Sequence, residues 1–246
     1  MILMYHHVCP RAEIPVDQAP LEGWKYNIEP TEFETQLQTL LALGRRFVSM
    51  DEYLSELQSG STSQLVTVTF DDGWVDNLRY AFPVLTALGL PSTLFVVSRE
   101  MSGVPRNRRL STDELRGLKD YGVTVGAHSR THPNLAQLRD QELVEELGGC
   151  KEDLEDLLGI GVKYLAYPGG RFNRRVVEVA RQAGYEAACS VITWGFNSED
   201  SRFWLYRDVF SDQMNSWSDR LRLNRWSRSL LSWRAERSLR RMLAQG

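Results

Sequence analysis

Short runs of apolar and β-branched residues alternate along the chain with longer stretches in which apolar residues recur every three or four positions. The short runs are rich in Val, Leu, Phe, Tyr and Thr, which is typical of buried β-strands. The predicted strands cover residues 2–7, 65–70, 92–98, 123–127, 163–167, 187–192 and 204–210.

Four of the intervening stretches have the apolar periodicity of helices. Two of them contain a capping-box signature, in which a Ser or Thr is followed three residues later by Glu: Thr31 with Glu34, and Ser111 with Glu114. The predicted helices run from Thr31 to Leu43, begin at Ser111, cover residues 140–158, and begin after the candidate N-cap Asn173.

The alternation of strands and helices predicts an α/β fold with a largely parallel sheet and helices outside it. A closed barrel and a doubly wound open sheet both fit this order. The chain has neither GxGxxG nor GxxxxGK[ST], the phosphate-binding motifs of the open sheet. We therefore favour a barrel over residues 1–215, formed as one domain without internal repeats. Its chemistry is expected at the C-terminal ends of the strands.

Residues 216–246 differ in character from the rest of the chain. Arginines are interleaved there with Trp, Leu and Met, and Glu236 is the single acid from Arg220 onwards. The pattern predicts a basic amphipathic C-terminal helix. Such a helix can pack on the barrel with its arginines in solvent, which we favour, or make peripheral contact with an anionic membrane surface.

Composition and charge exclude some classes of partner. The formal net charge of -3 gives no reason to expect a polyanionic partner, so we predict no nucleic-acid binding. Three cysteines without CxxC spacing argue against a disulfide framework or a thiolate metal site, and fit a reducing compartment. No basic segment precedes an apolar stretch at the start of the numbering, as a secretory signal would require. The expected location is the cytoplasm, including the inner membrane face, or the exterior if a leader precedes the numbered chain.

The residues with catalytic chemistry follow predicted strands. The strand over 65–70 ends in TFDDG, which contains Asp71 and Asp72, and a later apolar run ends in HSRTHP, which contains His128 and His132. Each motif alone has an ordinary explanation, because Asp-Asp-Gly is usually a turn and a single HxxxH is usually not a metal site. Together they supply two imidazoles and one carboxylate, which is the form expected of a catalytic metal site with open coordination positions.

TFDDG followed by HSxxHP resembles the motifs of the polysaccharide deacetylases, which form carbohydrate esterase family 4 and share the NodB homology domain. The resemblance covers roughly residues 1–210. It implies a distorted (β/α)7 barrel that binds a divalent metal, with zinc (Zn2+) as the first expectation and cobalt or nickel as alternatives. It also implies that Asp71 is the general base and that Ser129 helps to fix the loop between the histidines. The implied metal ligands are Asp72, His128 and His132.

The third motif of this family differs in the present chain. An Arg usually precedes its Pro-Tyr pair, whereas this chain has YLAYPGGRFN without that Arg. This form resembles the subgroup that acts on poly-N-acetylglucosamine exopolysaccharides. Arg207 is a candidate substitute partner for Asp71, with a surface residue or a structural ion pair as the alternatives. A backbone N–H among Tyr167, Gly169 and Gly170 is the candidate oxyanion donor, since the intervening proline has none.

The general acid also departs from the usual pattern. Most relatives carry a C-terminal Leu-x-His whose histidine protonates the leaving amine, but no histidine follows His132 in this chain. The chain instead begins with MILMYHHV, a predicted strand that ends in His6 and His7. This resembles a circular permutation that moves the last barrel strand to the N-terminus. We predict that His6 is the acid. Because side chains alternate along a strand, His7 is an alternative to it, and a structural role for both is the third interpretation.

The sequence thus predicts a metal-dependent hydrolase that removes N-acetyl groups from amino sugars of a polysaccharide, an oligosaccharide or a lipid-linked glycan. One alternative is a deacylase of another small amide or a ureide. A second is a catalytically silent carbohydrate-binding relative, which would usually have lost an Asp or His from the two motifs. Exposed tryptophans such as Trp24, Trp74 and Trp194 are candidates for stacking on sugar rings, with core packing as the alternative.

Overall fold

A computed structural model describes residues 1–14, 26–60, 62–99, 108–193, 195–209 and 235–244. Strands and helices alternate in it, as the apolar pattern predicts. The strands are β1 (Ile2–Tyr5), β2 (Arg46–Phe47), β3 (Leu65–Phe70), β4 (Ser92–Val96), β5 (Val123–Ala127), β6 (Tyr164–Ala166), β7 (Ala187–Cys189) and β8 (Asp208–Val209). The helices are α1 (Pro30–Ala42), α2 (Met50–Ser59), α3 (Phe82–Leu88), α4 (Thr112–Gly117), α5 (Asp140–Leu158) and α6 (Arg174–Gln182).

The strands follow the order β7-β6-β5-β4-β3-β1-β8, and β2 pairs with β3 beside this path. β3 pairs in parallel with β1, β2 and β4, and β6 pairs in parallel with β5 and β7. β1 lies between β3 and the last strand, which is the arrangement expected of the predicted permutation. The predicted fold class, an α/β fold of the distorted (β/α)7-barrel type, is confirmed.

The chain divides into two compact units. The first contains β1, β2, β3 and helices α1 to α4. Its core is aromatic, because Tyr5, Phe33, Phe70 and Phe82 are almost entirely excluded from solvent. The rings of Tyr5 and Phe33 pack edge to face with centroids 5.0 Å apart, and those of Phe70 and Phe82 do so at 5.5 Å. This cluster fixes the adjacent strands β1 and β3, whose C-terminal ends carry candidate catalytic residues.

The second unit contains β6, β7, α5 and α6. The Tyr185 hydroxyl, buried at the start of the β7 segment, donates to the Leu147 carbonyl of α5 at 2.8 Å. In β5, Gly126 permits close packing, since a Cβ at this position would lie 2.6 Å from the Phe95 ring and 3.0 Å from the Tyr164 carbonyl oxygen. A larger residue would displace the strand that precedes the candidate histidines.

Helix starts were predicted with mixed success. The Ser111–Glu114 capping box is present, and Asn173 Oδ1 caps α6 by accepting from the Val176 N–H at 3.0 Å. The predicted Thr31–Glu34 capping box is wrong. α1 begins one residue earlier, at Pro30, whose fixed φ suits the first turn of a helix.

Three elements were not predicted: β2, α2 and α3. Several predicted strands are also shorter than expected, because β1 ends at Tyr5 and β7 ends at Cys189. The region predicted as a strand over residues 204–210 contains β8 and, before it, an isolated parallel bridge between Leu205 and Cys189.

The cysteines form no disulfide bonds within the described residues. Cys9, Cys150 and Cys189 are buried and free, as predicted, and burial raises the pKa of the Cys150 thiol to about 11. Residues 235–243 are helical, with Leu239 buried. The remainder of the predicted basic helix and the predicted boundary after residue 215 lie outside the described residues. Among the described helices, none is long and apolar enough to cross a bilayer.

Candidate metal centre and active site

The aspartate turn, defined here as residues 71–74, directly follows β3. The Asp71 N–H donates to the Tyr5 carbonyl at 3.0 Å, so strand pairing continues one residue beyond β3. Asp72 then has a φ of 75° and Gly73 a φ of 83°. Asp is one of the few non-glycine residues that enter this left-handed region, at a cost on the order of 1 kcal/mol. The turn leaves both carboxylates buried, with Asp71 1% and Asp72 6% exposed, which favours a cation nearby.

Side chains around the turn hold Asp72. The Trp74 Nε1–H donates to Asp72 Oδ2 at 3.0 Å, and the Arg109 Nε–H donates to the Asp72 backbone oxygen at 3.1 Å. The Trp74 indole lies 4.4 Å from the His7 ring between centroids, and His7 Nδ1 lies 2.7 Å from Asp76 Oδ2. Because Asp72 Oδ2 accepts the hydrogen bond from the indole N–H, the rotation of the Asp72 carboxylate is fixed.

The histidine loop, defined here as residues 128–132, follows β5. The His128 N–H donates to the Val96 carbonyl at 2.8 Å, and His128 Nδ1 lies 2.7 Å from the Ala166 carbonyl oxygen. A carbonyl only accepts, so Nδ1 carries the hydrogen and Nε2 keeps the lone pair that a metal requires. This tautomer is the one usual for a metal-binding histidine.

The backbone of the histidine loop is left-handed at two positions, with φ of 64° at Ser129 and 63° at His132. The Ser129 hydroxyl accepts a hydrogen bond from the His132 N–H at 3.0 Å, which closes the loop on itself. The rings of His128 and His132 consequently lie 5.0 Å apart between centroids. Sparsely populated backbone conformations at catalytic positions persist only where surrounding contacts impose them.

The predicted ligand set is brought together. Asp72, His128 and His132 each offer one ligand atom, and these atoms lie within 4.8 Å of one another. Two ligand atoms with bonds of about 2.0–2.2 Å to one ion lie at most about 4.4 Å apart, so side chains at this spacing would reach a single ion after at most a small inward movement. Two imidazoles and one carboxylate form a set that leaves coordination positions for water and substrate. The donor chemistry therefore fits a divalent metal.

The two N-terminal histidines lie just beyond β1 in different environments. His7 is 1% exposed and is held by Asp76, whereas His6 is half-buried. The His6 ring stacks on Tyr26, with centroids 4.7 Å apart and an interplanar angle of 23°. His6 is thus the more accessible of the two, which agrees with its choice as the acid candidate. The assignment itself stays a prediction.

The loop after β6 carries the candidate oxyanion donors. The Tyr167 N–H donates to the Cys189 carbonyl at 3.1 Å, and the Gly170 N–H donates to the Tyr167 carbonyl at 2.8 Å. The N–H groups of Tyr167 and Gly170 therefore already have hydrogen-bond acceptors within the protein. Gly169 is exposed with a φ of 57°, and its N–H makes no hydrogen bond to the part of the chain that the structure describes. Gly169 is accordingly the preferred donor of the three.

Arg207 is 1% exposed, so the alternative that it is a surface residue is wrong. Its Nε–H donates to the Ser190 carbonyl at 2.8 Å, its backbone N–H donates to the Ile192 carbonyl at 3.1 Å, and its guanidinium lies 5.5 Å from the centre of the Phe95 ring. A cation buried to this extent is costly without charged or polar partners. Its predicted role as partner of Asp71 stays a prediction.

Some residues around the site have roles that the sequence analysis missed. Trp74 was a candidate for stacking on sugar, with core packing as the alternative; the residue is 8% exposed and its N–H binds Asp72, which agrees with core packing. The other two candidates, Trp24 and Trp194, lie outside the described residues. The contact between Trp74 and Asp72 joins residues two positions apart, so it could have been anticipated from the sequence. The contact between His7 and Asp76 joins residues far apart in sequence and could not.

Comparison with known proteins agrees with this geometry. A family model described as polysaccharide deacetylase matches residues 58–188, more than half of the chain. The matched region contains both the aspartate turn and the histidine loop. The chain belongs to the polysaccharide deacetylase family, the metal-dependent hydrolases of carbohydrate esterase family 4.

Individual relatives are distant. The protein YxkH of Bacillus subtilis (strain 168) is 23% identical over 216 residues, which cover 87% of this chain and 72% of YxkH. The poly-beta-1,6-N-acetyl-D-glucosamine N-deacetylase of Staphylococcus aureus (strain MSSA476) is 22% identical over 201 residues, covering 76% of this chain and 69% of the relative. The solved structure of IcaB from Ammonifex degensii has a TM-score of 0.74 at 24% identity, covering 94% of this chain and 96% of that one. At these identities the structural likeness establishes the fold alone.

Proposed function

We propose that this protein is a metal-dependent N-deacetylase that releases acetate from N-acetylated amino sugars of a polysaccharide, an oligosaccharide or a lipid-linked glycan. The observation that carries the proposal is the set of ligand atoms from Asp72, His128 and His132 within 4.8 Å of one another, with Asp71 adjacent in sequence. This set occurs on the motifs of a deacetylase family. The proposal that the glycan contains N-acetylglucosamine is supported by the activity named for the Staphylococcus aureus relative.

The metal would be held by Asp72 Oδ and by one imidazole nitrogen each from His128 and His132, and we propose zinc, with cobalt or nickel as alternatives. A bound divalent cation would supply Lewis-acid polarisation of the acetamide carbonyl and would make water more acidic. The hydrogen bond between His128 Nδ1 and the Ala166 carbonyl supports this assignment, because it directs Nε2 to the metal.

Asp71 is the proposed general base. Its carboxylate would take a proton from the attacking water, a contribution that is typically on the order of 100- to 10,000-fold in rate. Asp71 is 1% exposed, so its carboxylate is poorly solvated, and a bound cation beside it would favour the ionised form that can accept a proton. Arg207, a deeply buried cation, is the proposed partner that orients Asp71.

His6 is the proposed general acid. Its imidazolium would give a proton to the amide nitrogen as the carbon–nitrogen bond breaks, since an amine leaves readily only when it is protonated. The half-buried environment of His6, stacked on Tyr26, leaves it accessible to substrate, whereas His7 is enclosed by Trp74 and Asp76. The Gly169 N–H is the proposed donor to the carbonyl oxygen as negative charge develops there.

The decisive experiment measures acetate release from N-acetylglucosamine oligomers, first after chelation and then after addition of zinc, cobalt or nickel. We expect little release from the chelated protein and restored release with at least one metal. Stoichiometric metal binding without release from any acetylated sugar would instead favour another small amide, a ureide or a silent carbohydrate-binding role. Absence of metal binding would overturn the proposal.

The same assay separates the two histidines. His6→Gln is expected to lower kcat and to remove the loss of activity at high pH, while metal binding is retained. If His7→Gln produced that change of pH profile and His6→Gln did not, the acid would be His7. The cellular location, cytoplasmic or exported, and contact of the basic C-terminal helix with a membrane stay predictions.

A further inference from the structure

One face of α5 contacts two of the three residues that separate the candidate ligands His128 and His132. Glu146, Gly149 and Asp153 lie three and four positions apart, so they share one face of the helix. Arg130 and Thr131 of the histidine loop lie against this face. We name these three helix residues the α5 cradle.

Thr131 and Glu146 form the first contact of the cradle. The Thr131 N–H donates to Glu146 Oε2 at 3.0 Å, and the Thr131 hydroxyl donates to Glu146 Oε1 at 2.7 Å. The Arg130 N–H also donates to the Glu146 backbone oxygen at 3.2 Å. Because both carboxylate oxygens are used, the Thr131 backbone is fixed in position and direction.

Arg130 and Asp153 form the second contact. The Arg130 Nε–H and Nη2–H donate to Asp153 Oδ2 and Oδ1, each at 2.9 Å, in the paired geometry that gives strong and directional binding. Ser98 also donates to Asp153, at 2.9 Å, and so does Arg99, at 3.2 Å. The Arg130 side chain is 19% exposed and that of Asp153 is 26% exposed, so solvent screens the pair only in part.

Gly149 makes the second contact sterically feasible. A Cβ at this position would lie 2.2 Å from Arg130 Cζ and 2.5 Å from its Nε, so the guanidinium occupies the volume of the missing side chain. Glycine within a helix costs about 1 kcal/mol relative to alanine. A Cβ at the neighbouring Gly148 would meet no atom within 4 Å among the described residues outside the adjoining helix backbone. The requirement for glycine is therefore specific to position 149.

The backbone that the cradle holds is the strained part of the loop. Ser129 and His132, on either side of Arg130 and Thr131, have the left-handed φ angles of 64° and 63°. Such conformations need external contacts to persist. We propose that the α5 cradle is a positioning device that imposes the backbone of the histidine loop and thereby sets the affinity of His128 and His132 for the metal. This inference rests on the proposed metal site and extends it to residues outside the proposed ligand set.

The test compares Gly149→Ala with Gly148→Ala, two identical changes at adjacent positions of one helix. The dissociation constant for zinc is measured by competition with a chromogenic chelator, and the melting temperature is measured on the metal-free proteins. We expect Gly149→Ala to weaken zinc binding about 10- to 100-fold, the range typical when support of a metal ligand is lost. Gly148→Ala is expected to bind zinc like the wild type.

A double-mutant cycle separates positioning from general damage to the helix. Arg130→Ala removes the guanidinium without adding an atom to α5 and is itself expected to weaken zinc binding. In that background Gly149→Ala should have no further effect on the zinc dissociation constant. An undiminished effect in that background would mean that Gly149 acts through the helix and would overturn the inference. If Gly149→Ala does not fold, wild-type zinc affinity in Arg130→Ala would overturn it equally.

The outcomes for the site and for the cradle are distinguishable. A wild-type protein that binds no zinc, cobalt or nickel contradicts the proposed function and removes the premise of the cradle. A wild-type protein that binds zinc with the same affinity as Gly149→Ala and Arg130→Ala contradicts the cradle alone.

Discussion

The aspartate turn and the histidine loop supply ligands to the same proposed metal, yet they are held by different chemistry. The aspartate turn lies among buried groups, where the neutral indole of Trp74 binds Asp72 and is covered by the His7 ring. The histidine loop is held by ion pairs and carboxylate hydrogen bonds from α5 that remain partly in solvent. Both segments contain left-handed residues, so each needs such support.

Because their supports differ, the two segments should respond differently to salt, to pH and to substitutions that change side-chain shape. A hydrogen bond from an indole to a buried carboxylate is little screened by salt, but it is lost when the shape of the buried site changes. A partly exposed charged network tolerates small changes in shape but depends on the ionisation of its members. The two supports should therefore be separable by experiment.

The largest expected effects come from substitutions of the proposed metal ligands and of the proposed base. Asp72→Ala and His132→Ala should each abolish stoichiometric zinc binding and activity, because each removes one of three ligands. Asp71→Asn should keep the metal and lose about 100- to 10,000-fold in kcat, because it removes the base alone. Metal analysis of the purified variants together with acetate release measures both effects. An active, metal-free His132→Ala protein would refute the ligand assignment.

Loss of the indole N–H in the aspartate turn should have an intermediate effect. Trp74→Phe keeps an aromatic ring against His7 but removes the hydrogen bond to Asp72, so zinc affinity should fall about 10-fold or more. The matched control is Trp204→Phe, at a tryptophan that lies far from the turn in sequence and whose indole N–H makes no hydrogen bond within the described residues. Equal zinc dissociation constants for the wild type and Trp74→Phe would show that the indole does not position the ligand.

The smallest expected effect concerns the charge of the cradle. Burial raises the pKa of Asp153, but hydrogen bonds from Arg130, Ser98 and Arg99 outweigh it, so the net pKa of Asp153 is lowered below 3.8. A lowered carboxyl pKa stabilises the fold above the unfolded-state pKa of about 3.9, and this contribution is lost as the pH falls through the lower folded-state pKa. Asp153→Asn should therefore cost about 1 kcal/mol of unfolding free energy between pH 5 and pH 7, and progressively less below about pH 4.

Urea unfolding of the chelated proteins at several pH values measures this dependence without a contribution from metal release. Asp156→Asn, at an exposed position of the same helix, is the control and should differ little from the wild type at any pH. A pH-independent difference between the wild type and Asp153→Asn would mean that Asp153 contributes through packing and not through its charge.

The sequence predicted the regular part of the fold because local pattern and tertiary role agree there. β3 is six consecutive buried residues, and α5 has apolar residues on one face and glycine at its C-terminal end. α2 was overlooked although Ser49 accepts from the Glu52 N–H, a local start signal that was present in the sequence. α3 is preceded by a π-helix and carries a proline near its start, and both interrupt the apolar period on which a sequence prediction depends.

In the candidate site, too, residues in local motifs could be predicted from the sequence, whereas contacts made by folding could not. The proposed ligands could be selected from the sequence because their motifs are contiguous and their chemistry is specific, and the structure brings their side chains together. The supports were not predictable, since Arg130 meets Gly149 and Asp153 only after the chain has folded back over some twenty residues. Gly149 in particular looks unfavourable within a helical pattern until the guanidinium beside it is seen.

The position of β1 in the sheet has a consequence for how the chain is made. Ile2 pairs with Thr67, so β1 is synthesised about 65 residues before the strand that it joins. At roughly 5–20 residues per second, β1 waits several seconds with its backbone unpaired. Pairing across such a separation is also slow to form, because the intervening chain must first be closed into a loop. β1, which directly precedes His6, is thus expected to pair only after β3 has been synthesised, and assembly of the proposed site would wait for that pairing.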